Sequence, residues 1–186
     1  MDTRRMIRVI GISFVGFLTL LCAHAVLLLA LAASFDIFGS RISPLSWFLF
    51  IVVIPPLVTV AAALPAIALG TSKKQSFIAG FIACILAIFI FQTQREFWPL
   101  NPTDTLASIT AVGVPVLAAS FRSLGRRRTR IAVVLAVWAI FSVLGVMAAG
   151  LSQIAAFIVI LLAWVVLPGV AALFQSRLSS YQSRAQ

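Results

Sequence analysis

His24 is the only histidine in the chain, and it lies within a long run of apolar residues. An ionisable side chain in such a run is a functional candidate by default. A single imidazole cannot ligate haem from both faces or assemble a metal cluster. The plain reading is a neutral ring hydrogen-bonded to a neighbouring helix; the sharper one is a ligand-binding or proton-sensing group. Chemistry could also sit on the polar segment Gln92-Thr93-Gln94-Arg95-Glu96, which runs into Phe97-Trp98-Pro99. Together with Asp36, Arg41, Asn101 and Asp104 it would form an outward-facing pocket or a partner surface. The bland alternative is a solvated loop in which Arg95 and Glu96 pair weakly. A third cluster, Arg122, Arg126, Arg127, Arg128 and Arg130, would attract anionic lipid head groups at about 1 kcal/mol per basic residue near the surface. It would equally serve to fix topology.

Other chemistry lacks its residues. No acid falls in the middle of an apolar run, which disfavours a carboxylate proton relay. Cys22 and Cys84 lie in apolar runs, too few for a zinc site, and read as small buried residues. Nothing matches a Ser/His/Asp set, an aspartate pair, a glycine-rich phosphate loop or a metal-ligand spacing. The expectation is a protein that is not an enzyme and carries no cofactor.

The elements that must position these residues follow from composition. The chain has 186 residues, 62% hydrophobic and 10% charged, against about 45–50% and about 25% for a soluble domain. So little polar surface cannot coat a globule in water, so its solvent is lipid. A bilayer core about 30 Å thick takes about 20 apolar residues per helix. Six spans are drawn, over 9–33, 44–70, 76–92, 105–121, 131–150 and 153–174. The fold class is therefore all-α, a polytopic membrane protein forming a single integral membrane domain over 1–186. The third and fourth spans are the weakest, each about 17 residues and at the bottom of the spanning range. The fourth also contains Ser108, Thr110 and Ser120, so a re-entrant pair is the alternative there. Arg4, Arg5 and Arg8 followed by an apolar run and Ala30-Leu31-Ala32 resemble a cleaved signal. The run exceeds the about 7–15 residues of a signal core, so it is read as a retained first helix.

Twelve of the 14 Lys and Arg residues fall before the first span, after each even-numbered span, or at the end of the chain, and only Arg41 and Arg95 fall on the other side. The positive-inside rule puts the basic side in the cytoplasm, with both termini. An odd span count would break this partition. The net charge of +10 is thus spent on anchoring, and no nucleic-acid partner is expected. Ser43-Pro44, Asn101-Pro102 with Asp104 in the first turn, and Ser152 after Gly150 read as helix starts. Trp47, Phe48, Phe97 and Trp98 suit an outer aromatic belt.

Pro55 and Pro56 fall near the middle of the second span, where they should kink or break it. Pro65, Pro115 and Pro168 occur in similar phrases (Leu64-Pro65-Ala66, Val114-Pro115-Val116, Leu167-Pro168-Gly169), which suggests three related helical hairpins bent around a cytoplasmic-side crevice. Ala79/Ala83/Ala87 and Gly145/Ala149 permit close helix approach, within the chain or against a second subunit.

The functional expectation is a non-catalytic subunit, scaffold or assembly factor of a larger membrane complex. Its partners would be the lipid bilayer, anionic lipids, and another membrane protein or a second copy. The alternative is a transporter or channel component of substrate-capture type for a small, mostly neutral or apolar solute. The expected location is a cell membrane, crossed several times, taken here as a bacterial inner membrane. The charge partition makes a direct prediction. In intact cells an impermeant thiol reagent should label Asn101→Cys and leave Arg127→Cys untouched; labelling of Arg127→Cys would overturn the orientation.

Overall fold

The computed structural model describes residues 3–38, 44, 48–92, 101–124 and 128–182. They form six helices long and apolar enough to cross a membrane, each on one of the expected spans. These are α1 (Thr3–Phe38), α2 (Ile54–Ala68), α3 (Lys73–Gln92), α4 (Pro102–Leu124), α5 (Arg128–Leu151) and α6 (Gln153–Gln182). The two doubtful spans are full-length helices of 20 and 23 residues. Their polar ends, Lys73 to Gln75 and Pro102 to Asp104, continue the helix past the apolar run that hydropathy detects.

Backbone groups at the helix ends find local partners. Asn101 caps α4, its Oδ1 accepting from the Asp104 N–H at 2.9 Å. Ser152 caps α6, its Oγ accepting from the Ala155 N–H at 3.1 Å. At the end of α2, Thr71 N–H donates to Ala66 O and Gly70 N–H to Ile67 O. Gly70 has φ 87°, a left-handed conformation that glycine adopts freely, and the pattern is a Schellman cap.

Pro55 and Pro56 fall within a helical run from Phe48 to Ala68, at the point where its winding changes. A π-helical turn, Leu49–Val53, precedes them, and they occupy the first positions of α2. The Ile54 N–H reaches back to Leu49 O. Two missing donors would orphan the carbonyls of Ile51 and Val52 in a regular helix. Winding the preceding turn wider makes the prolines the start of a new α-helix, where a donor is not needed.

Each helix packs against its sequence neighbours, and α1 closes the bundle against α6. The helix in the middle is α4, which packs against α2, α3, α5 and α6. Its spanning window is 67% buried, against 28% for α3 and 22% for α5. Polarity that made α4 a poor lipid-facing span suits it to this place. Small and hydroxyl residues let four neighbours approach, and buried Ser120 returns its proton to Val116 O. The bulky residues of α3 and α5 point outward instead, with Phe89 68% and Met147 63% exposed. That arrangement is stable only against lipid.

Two of the glycines at close helix approaches bear on the core. A Cβ on Gly16 would stand 2.7 Å from Ala61 O, the carbonyl that loses its intrahelical donor to Pro65. The Gly16 backbone therefore lies against the freed acceptor, where a weak Cα–H···O contact replaces part of what was lost. A Cβ on Gly113 would run into the indole of Trp138. The Arg5 guanidinium donates to Gln175 Oε1 at 2.9 Å, which ties the start of α1 to α6 and puts both ends of the bundle on one face, as an even number of crossings requires. Overpacking a tight contact costs about 1–3 kcal/mol. Gly113→Val should therefore lower the thermal midpoint in detergent, while Gly11→Val, where nothing lies within 4 Å, should leave it unchanged. Equal midpoints for the two variants would contradict the α4–α5 packing.

Candidate functional site: a recess beside His24

Asp104 occupies the third position of α4. The Asn101 cap holds the backbone there, and a carboxylate in the first turn is favoured by the helix dipole. His24 reaches the same place from the middle of α1. Both line one recess, bounded by α1, α2, α3 and α4, with a space of about 640 Å³ including its open mouth. The remaining walls are apolar, chiefly Leu20, Ile54, Val58, Ala107 and Ala111, with Ser108 as a third polar residue. Asp104 is buried at 7% exposure. From behind, the Trp164 indole N–H on α6 donates to Ser108 O at 3.2 Å, which fastens the wall to the core.

His24 Nε2 is buried and has no hydrogen-bond partner. A buried polar atom without a partner costs about 1–3 kcal/mol. The His24 nitrogen lies at the edge of a cavity, where it is available for one hydrogen bond. The space suits a small, largely apolar molecule with a hydrogen-bonding group at the His24 end. Covalent chemistry has little to work with. Cys84, on α3, gives its thiol proton to Pro55 O at 3.5 Å. Among the described residues no group of three or more His, Cys, Asp or Glu could hold a metal ion.

Of the candidate surface read from the sequence, the structure brings His24 and Asp104 together and uses Asn101 as the cap beneath them. Asp36 and Gln92 lie on α1 and α3, with side chains outside the described residues, as are Arg41, Gln94, Arg95 and Glu96. In the basic cluster, Arg122 belongs to α4 and Arg128 and Arg130 to α5; their side chains, and Arg126 and Arg127 altogether, are outside the described residues. Sequence reasoning missed Ser108, Ala107 and Ala111 as lining. Their signal was spacing: Asp104, Ser108 and Ala111 recur at helical intervals on one face of α4. Comparison with known proteins finds no matching family, no curated relative and no similar solved structure.

Replacing His24 by leucine removes the unpartnered nitrogen and keeps the bulk. His24→Leu should unfold at the same temperature as the native chain or higher. A clear drop in midpoint would show that the imidazole is a structural bond rather than a waiting one.

Proposed function

We propose that the protein is a non-catalytic membrane component that takes a small, mostly apolar solute with a hydrogen-bonding group into the recess beside His24. It lies in a bacterial inner membrane with both termini in the cytoplasm, so that the start of α4 and the recess face outward. The orphaned His24 Nε2 at the recess wall carries this reading. The balance between capture and scaffolding turns on where the small residues go. Ala79 and Ala83 are buried within the bundle, and Gly145 packs against Ile109 and Thr105. These close-approach residues are used inside the chain, so they offer little to a partner subunit. The three-hairpin reading belongs to the same proposal. It draws support from Pro65, Pro115 and Pro168, all fully buried, and from the even-numbered helices being the more buried ones.

Thermal unfolding of the purified protein against a panel of small neutral amphiphiles tests the proposal. A ligand at about a hundred times its Kd adds about 2.7 kcal/mol, a shift easily read. One chemical class should stabilise the native chain and fail on His24→Leu and Ala107→Phe. If no class separates the native chain from these variants, and a membrane protein co-purifies at fixed ratio, the scaffold reading takes its place.

A further inference from the structure

The recess beside His24 has a counterpart at the other end of the same helices. A second cavity, of about 470 Å³ including its mouth, lies between the end of α2, the start of α3 and the latter half of α4. Its polar lining is Thr71, Gln75 and Ser76. Ser76 is fully buried, and its Oγ has no hydrogen-bond partner. Each cavity therefore contains one buried polar atom waiting for a partner.

The two cavities are in register. On α2 the outer recess is lined by Val58 and the inner by Ala66; Ala62 falls halfway, on the same face at i+4. On α3 the outer lining is Ala87 and the inner is Ala79, and Ala83 falls halfway. On α4 Ala111 lines the outer recess and Pro115 the inner, one turn or about 6 Å apart. Residues four apart share a helix face, so one seam runs through both cavities. Its closed section consists of methyl groups: Ala62 and Ala83 are at 0% exposure and Ala111 at 1%. The α4 turn that divides the cavities, Ala111 to Pro115, is the one that Pro115 deprives of its backbone hydrogen bond. A helix bends at such a turn at least cost.

We infer that the α2–α3–α4 seam is a single path for a small neutral solute, closed at its midpoint by Ala62, Ala83 and the Ala111–Pro115 turn, and opened by bending α4 at Pro115. The path carries the protein beyond capture to passage of the solute from the His24 recess to the Ser76 cavity. It rests on the recess reading above. The alanine layer is the thinnest barrier side chains provide, so a small displacement of α4 joins the cavities. His24 and Ser76 stand on the two sides of the layer, which suits a solute that leaves one polar site for the next.

Water reaches a thiol only along an open path, and thiosulfonates react with the hydrated thiolate. The full chain with Cys22→Ala and Cys84→Ala, in lipid vesicles, serves as background. Ala107→Cys, Ala118→Cys, Ala62→Cys and Ala83→Cys are placed in it singly and treated with 2-aminoethyl methanethiosulfonate, after each is shown to be monodisperse. Ala107 and Ala118 mark the two cavities and should label readily. Ala62→Cys and Ala83→Cys should label more slowly but to completion, and adding Pro115→Ala should slow them about fivefold, the weight of one restored backbone hydrogen bond. Labelling at Ala107 and Ala118 with none at Ala62 or Ala83 would overturn the path and leave the recess standing. No labelling at Ala107 would overturn both.

Discussion

A bilayer gives helices no hydrophobic reason to associate, because lipid tails are as apolar as leucine. Whatever holds this bundle together must come from close packing and from polar groups that lipid cannot satisfy. Helix α4 supplies both. It offers Gly113 to the Trp138 ring and Thr105 and Ile109 to Gly145. It also carries buried Thr110 and Ser120, which would be costly facing hydrocarbon. A helix of this composition is driven to the centre, and the apolar bulk of α3 and α5 is left to meet lipid.

The same constraint explains the prolines. Each buried proline leaves a carbonyl without its usual donor, a serious matter where water cannot substitute. The bundle meets the problem in different ways. Ahead of Pro55 and Pro56 the helix is wound as a π-turn. Behind Pro65 the backbone of Gly16 closes over Ala61 O. Beside Pro115 the freed turn lies between two cavities, so here the defect is left next to space. Small side chains on α2, α3 and α4 make both the tight seam and the cavities at its ends, because alanine fills less than the gap between diverging helices.

The sequence was most legible where charge and chain ends decide. The partition of basic residues implied an even number of crossings, and Asn101 and Ser152 announced their helices by cap chemistry alone. It misled where a residue has a different value in lipid and in protein. Ser108, Thr110 and Ser120 lowered the apparent fitness of the fourth span, yet they mark the most buried helix of the bundle. Pro55 and Pro56 were legible as a disturbance of the second span, but the π-turn ahead of them was not. Half of the candidate site was visible: His24 and Asp104 each stood out as ionisable residues. Their meeting was not, since one lay in mid-span and the other at a loop edge. Only the depth at which α1 passes the start of α4 joins them. The cavity around them is walled chiefly by alanine, leucine, isoleucine and valine, residues that no chemical criterion would single out.

The account stands on α4 being the buried axis of the bundle. Carbene footprinting from a diazirine-bearing lipid, read by peptide mass spectrometry, measures which helices touch the acyl chains. It should label the outward residues of α3 and α5, Phe81, Phe89 and Met147 among them, and leave Ile109, Val112 and Val116 of α4 unmodified. Labelling of α4 at the level of α5 would place it at the periphery and contradict the account.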